Sequence, residues 1–166
     1  MPGRNGALRR IKHPRPRKVP DKHMQKIGFS EAVETIIQTD TRFEREAYHF
    51  LKDALDFTTK NLKKSGGPGQ RHVSGRELMD GVREYALKEF GPMASTVLGY
   101  WGLRTTEDIG VIVFNLITVG IFGRSDDDSI EQFAAGYDFR EAFIEPFLPE
   151  SRKIQKNPSR VTDQLI

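Results

Sequence analysis

From Phe29 onward the apolar residues recur at intervals of three and four, the spacing of one face of an α-helix. Phe43, Ala47, Phe50, Leu51, Ala54, Leu55, Thr58 and Leu62 form the first long stripe of this kind. Thr41-Arg42-Phe43-Glu44 has the pattern of a capping box, in which the Thr41 hydroxyl and the Glu44 carboxylate exchange hydrogen bonds with each other's backbone amides. The pattern therefore predicts a helix from Thr41 to about Leu62, with Ser30 capping a shorter helix ahead of it. Three glycines and a proline between Lys63 and Gly69 predict a connecting loop.

A second capping box, Ser74-Gly75-Arg76-Glu77, follows the loop, with Val73 placed to pack on Leu78 as a hydrophobic staple. Leu78, Met79, Val82, Tyr85, Ala86 and Phe90 predict its buried stripe. Gly91 supplies a left-handed stop, and Pro92 starts a helix that ends near Gly102. Thr105 or Thr106 caps the next helix, where Glu107 and Asp108 favour its positive end. Its body, 109–119, is apolar almost all round, which predicts a helix enclosed at the centre of a bundle, with Gly110 and Gly120 allowing close approach. Ser125-Asp126-Asp127-Asp128 and Asp138-Phe139-Arg140-Glu141 mark two shorter helix starts, the second helix ending before Pro146. The expected fold is an all-α bundle of about five to six helices around 109–119.

Charge divides the chain unevenly. Residues 1–28 carry nine Lys or Arg against one acid, a net +8, whereas the remainder carries 17 against 22, a net −5. The same 28 residues hold four prolines and none of the sixteen aromatic residues, so they lack the apolar surface that offsets ordering entropy. The reading is a basic disordered arm at 1–28, a helical domain at 29–147 and a polar tail at 148–166. The overall pI of about 9.2 belongs to the arm and is no argument that the helical part binds nucleic acid.

Cysteine is absent, which excludes disulfides, thiolate metal sites and a cysteine nucleophile. The most apolar stretch, 109–122, has ten apolar residues in fourteen, short of the roughly 20 a transmembrane helix needs. No apolar run follows the basic start to make a signal peptide, so a cytoplasmic location is expected.

The stretches HVSGRELMDGVREYALKEFGPMASTVLGYWGLRTTEDIGVIVFNLI (72–117) and GYDFREAF (136–143) resemble an uncharacterised bacterial family restricted to Verrucomicrobia and Planctomycetes, over about residues 28–147. The resemblance implies a helical fold and brings no activity or site residues with it. Members of that family begin near the position of Met24, which leaves Met24 as an alternative start and 1–23 as a mis-assigned extension.

Candidate chemistry is sparse. Glu46, His49 and Asp53, with Asp56, fall on one face of the first long helix, and Glu-x-x-His is the spacing of di-iron bundle proteins. The second such motif is missing, and Arg45, Lys52 and Arg83 favour an ordinary solvated face of ion pairs. Residues 93–101, the turn at Gly102 and the helix from Thr105 have a helix-turn-helix look, compatible with a winged-helix topology if 123–128 were the wing. Acids at the start of that helix and three aspartates in the wing would repel phosphate. The glycine loop lacks the Gly-Lys-Ser/Thr ending of a phosphate cradle, and the three aspartates lack the spacing of a calcium loop. His72 has no acid near it in sequence, and no serine or threonine has a recognisable base.

Tyr100 and Trp101 beside Gly102 read as edge packing, with a partner-facing anchor as the alternative. In the arm, Arg9, Arg10, Lys12, Arg15, Arg17 and Lys18 are candidates for phosphate contacts of low sequence selectivity. The sequence thus leads to a protein-interaction or scaffold domain without chemistry or cofactor of its own. The alternatives are a nucleic-acid- or ribosome-associated protein acting through the arm, and a metal-dependent enzyme using the Glu46 face.

Overall fold

The computed structural model describes residues 27–65, 72–126 and 128–150. The arm's candidate contacts, the glycine loop, Asp127 and the tail beyond 150 lie outside the described residues. The described chain is all-α: α1 (Phe29–Ile37), α2 (Arg45–Lys64), α3 (Gly75–Phe90), α4 (Ala94–Tyr100) and α5 (Thr106–Thr118), then two short helices, α6 (Glu131–Ala134) and α7 (Phe139–Phe143). No strand forms among these residues, so 123–128 is not a β-wing.

Helix α2 buries Ala47, Phe50, Leu51, Ala54 and Thr58 on the face its periodicity predicts. Its start is a correction, because the helix begins at Arg45 and not at Thr41. Asp40 takes the Arg42 amide (3.2 Å) and both arms of its guanidinium (2.8 and 2.6 Å), which pins the chain in an open turn. The Glu44 amide, which a Thr41 cap would have used, donates to the Trp101 carbonyl at 3.1 Å. Tertiary contacts outcompete the local box. Ser30 is likewise inside α1 and does not cap it; Gly28 stands at that position, with extended backbone and no side-chain hydrogen bond.

The second box forms as expected. The Ser74 side chain accepts from the Glu77 amide, and the Glu77 carboxylate accepts from the Ser74 amide at 3.0 Å. Thr105 makes a third with Asp108, whose carboxylate also takes the Arg104 amide at 2.9 Å. Helices α2 and α3 pack so closely that a Cβ added at Gly81 would meet the Thr58 side chain. Gly91 (φ +50°) closes α3. Gly102 and Gly120 close α4 and α5 in Schellman turns, with 6→1 hydrogen bonds Leu103 N to Leu98 O and Ile121 N to Leu116 O, both 2.9 Å. Gly110 does permit close approach, to Phe133 of α6; Gly120 does not, because nothing lies near its missing side chain.

Helix α5 touches α1, α2, α3 and α6 and buries Ile109, Gly110, Ile112, Val113 and Leu116. It is central but not enclosed all round, since Val111, Phe114 and Ile117 stay half-buried. The expected helix start at Ser125 gives no helix at that position. Asp128 instead accepts from the Ser125 amide at 2.7 Å, and α6 begins at Glu131. Asp138 caps α7 by accepting from the Glu141 amide at 3.0 Å.

Candidate functional site

The polar side chains that sequence singles out do not converge. Glu46 and Asp53 are exposed, and the His49 ring sits edge-on against Phe29 at 5.0 Å. Among the described residues no three His, Cys, Asp or Glu side chains are grouped so as to hold a metal ion. The solvated-face reading fits the ion pairs Lys52–Asp56 (3.2 Å) and Arg45–Glu34. Trp101 is packed between Phe50 (5.7 Å) and Phe90 (5.6 Å) and is partly buried. Tyr100 points outward and is 82% exposed. The start of α5 closes on its own capping box, with Thr106 buried and Glu107 exposed beside it.

Two arrangements that sequence does not reveal take their place. The first is a polar clamp across α1, α2 and α5. The Asn115 amide donates to Asp40 Oδ2 (3.1 Å) and to the hydroxyl of Tyr48 (3.2 Å), a fully buried side chain, while Arg42 holds the other side of Asp40. Arg42's side-chain hydrogen bonds hold the Asp40 carboxyl far below the usual carboxylate range against the opposing effect of partial burial, with Asn115 adding to the depression. Burial pushes the Tyr48 hydroxyl up, so it stays a neutral acceptor and donor. These hydrogen bonds tie the α1–α2 turn to α5.

A depressed folded-state pKa stabilises the protein fully above the unfolded value, about 3.9, and that contribution is lost as pH falls toward the folded value. Asp40→Asn should therefore flatten the acid limb of stability between about pH 4 and pH 2. Thermal unfolding of both proteins across that range checks it, and identical acid slopes would exclude the clamp as their source.

The second arrangement is a groove of about 310 Å³ where α5's half-buried face meets α2 and the segments at 72–75 and 121–128. Leu55, Val73, Leu78, Val113, Phe114, Ile117, Ile121, Phe122 and Phe133 make its apolar lining. The Schellman turn at Gly120 brings Ile121 and Phe122 back beside Ile117, and none of the described residues of 121–130 is helical. Polar groups gather at the mouth: Asp56, Thr59, and a His72–Asp128 pair with Nε2 and Oδ2 2.8 Å apart. Asp128 is the acid that His72 lacks in sequence, 56 positions away, and its side chain is 16% exposed against 45% for His72. Arg124 adds a cation on the ring of Phe114 at 5.7 Å.

A His–Asp pair can orient a proton or take one from a bound water, whereas covalent catalysis needs a side-chain nucleophile beside it. The described lining has no serine or cysteine, and Thr59's hydroxyl donates to the Leu55 carbonyl at 2.8 Å. The arrangement is an apolar floor bordered by two carboxylates, Asp56 and Asp128, each paired with a neighbouring side chain. Among the described residues no helix is long and apolar enough to cross a membrane. No family model, curated protein or solved structure matches this chain, so the functional reading stands on the groove's own geometry.

Proposed function

We propose that the helical domain is a non-catalytic protein-interaction module whose docking surface is the groove beside α5. The observation that supports this reading is the apolar face of Phe114, Ile117, Ile121 and Phe122, left open on an otherwise well-packed bundle. Open apolar concavities with polar rims are where partner side chains are held, and desolvation of one or two anchors dominates such contacts. Phosphate is a poor ligand for this domain, because its described residues carry 12 Lys and Arg against 20 Asp and Glu, a net −8. Contact with nucleic acid would fall to the arm alone.

Affinity purification of natively expressed protein, with mass spectrometry, tests the reading by comparing wild type with Ile117→Glu and Tyr100→Ala. The half-buried position of Ile117 on the groove wall leaves the core intact, and circular dichroism checks that it does. A protein retained by wild type should be lost from Ile117→Glu by at least about tenfold, the effect of about 1.4 kcal/mol at a binding anchor. It should persist with Tyr100→Ala. Retention by a folded Ile117→Glu and loss with Tyr100→Ala would move the docking surface to the exposed end of α4.

A further inference from the structure

We infer that the seam between α2 and α3 is a second docking surface, independent of the groove, that takes an arginine-bearing basic segment of a partner protein.

The surface begins with the register of α2. Glu46, Phe50, Asp53 and Phe57 recur at intervals of four, three and four, so they share one face, whereas Leu55 and Thr59 of the groove lie on another. Against that face α3 and the end of α4 bring three more rings. Phe57 meets Tyr85 (5.3 Å), Tyr85 meets Phe50 (5.6 Å), and Phe50 meets Phe90 (5.9 Å) and Trp101 (5.7 Å). Phe50 is the buried base of this row. Phe57, Tyr85, Phe90 and Trp101 are half-buried, so each keeps part of its ring at the surface.

Charge selects the occupant. Glu46 and Asp53 are exposed on this face, and among the described residues neither has an ion-pair partner. The neighbouring cations of α2 are engaged elsewhere, Arg45 with Glu34 of α1 and Lys52 with Asp56 and the ring of Phe29. Burial, reinforced by the Glu89 and Asp53 carboxylates, pushes the Tyr85 hydroxyl up, so both acids act on this row.

The chain itself shows how a cation sits here. The Lys88 ammonium lies over the Phe57 ring at 5.2 Å and 3.9 Å from the Glu89 carboxylate, with a ring beneath it and an acid beside it. Further along, no cation of the described residues lies over Tyr85, Phe90 or Trp101, although Asp53 and Glu46 border them. A partner's cation would repeat the Lys88 arrangement at these rings. Arginine suits it better than lysine, because a planar guanidinium stacks on a ring while its fork of N–H groups takes a carboxylate. The net −8 of the described residues draws a basic segment toward the domain.

Trp101 is the chain's one tryptophan, so its emission reports on the row. Full-length protein is titrated with an alternating arginine–glycine peptide and with its lysine–glycine counterpart. The arginine peptide should give a saturable change in emission, and the lysine peptide should bind more weakly. Glu46→Gln/Asp53→Asn should weaken the arginine peptide by about three- to tenfold, the loss of two exposed ion pairs, with the circular dichroism spectrum unchanged. Glu31→Gln/Glu107→Gln removes the same charge elsewhere on the surface and should weaken it by less than about twofold. No saturable change with wild type would overturn the inference. So would equal weakening by the two charge-neutralised variants, or equal affinity for the two peptides, because attraction to net charge alone would then account for binding. Loss of binding in Ile117→Glu but not in Glu46→Gln/Asp53→Asn would put the peptide in the groove. Emission that changes with protein concentration in the absence of peptide would give the seam to a second copy, which also refutes the proposal.

Discussion

Phe133→Ala should lower the unfolding free energy by about 3 to 5 kcal/mol, the range for removing a buried aromatic ring. The effect should exceed that of other single truncations of similar size because Phe133 is the buried side chain of a helix of one turn. Its ring fills the space in front of Gly75 of α3 and Gly110 of α5, and its carbonyl accepts a 2.6 Å hydrogen bond from the buried Thr106 hydroxyl. A single turn has no stability of its own in water, so α6 exists only as far as this side chain holds it to the bundle. The same ring forms part of the groove wall, and its loss should release the segment that carries Asp128. Urea unfolding followed by circular dichroism measures the first effect, and amide exchange at 131–134 the second. A loss under about 1 kcal/mol, or full protection of α6 in the variant, would contradict this account. Phe133→Leu keeps most of the volume and should cost less than about 2 kcal/mol.

Gly81→Val should cost about 3 kcal/mol, through overpacking at the closest approach of α2 and α3. Glycine in a helix interior is normally a defect worth about 1 kcal/mol relative to alanine, so a larger residue would be expected to help. Here it cannot. A Cβ at this position would fall within 2.9 Å of the Thr58 Cβ, and Thr58 is buried and fixed by its own 2.7 Å hydrogen bond to the Ala54 carbonyl. Any rotation of Thr58 would give up that hydrogen bond. A double-mutant cycle makes the cause specific: Gly81→Ala and Thr58→Gly together should be more stable than the sum of the separate effects by about 1 to 3 kcal/mol. Additive costs would place the origin of the effect elsewhere than at this contact.

Both predictions concern residues whose importance periodicity understates. Gly81 reads as an interruption in α3, and Phe133 as one aromatic in a weakly patterned tail. The helices themselves were legible because local rules and tertiary packing agree: Ser74 and Glu77 satisfy each other's backbone, Leu78, Met79, Val82 and Ala86 share one face, and Gly91 ends the helix with positive φ. Where they disagree, the local rule fails. Thr41 carries the same box pattern as Ser74, yet Glu44's amide is claimed by Trp101 and Arg42 by Asp40, both outside the box's own hydrogen bonds.

The candidate site was less legible than the fold. Glu46, His49 and Asp53 have a helical spacing that suggests chemistry, but spacing on one helix cannot supply the ligands that other helices would have to bring. His72 has no acid near it in sequence, and Asp128 reaches it from the segment that follows α5. Tyr48 falls outside the expected stripe of α2, and it is fully buried with its hydroxyl accepting a hydrogen bond from the Asn115 amide. The unbroken apolar run at 109–119 marked α5 as central, but a run that is apolar on every side cannot say which side is left uncovered.

What the sequence by itself determined is the all-α class, the main helices and most of their ends, because these depend on residues within one or two turns of each other. Only the tertiary structure decided that α2 starts at Arg45, that α5 has an open face, and that an acid–histidine pair stands at its groove. Those features depend on hydrogen bonds and contacts between residues tens of positions apart, for which competing partners have no signature in local spacing.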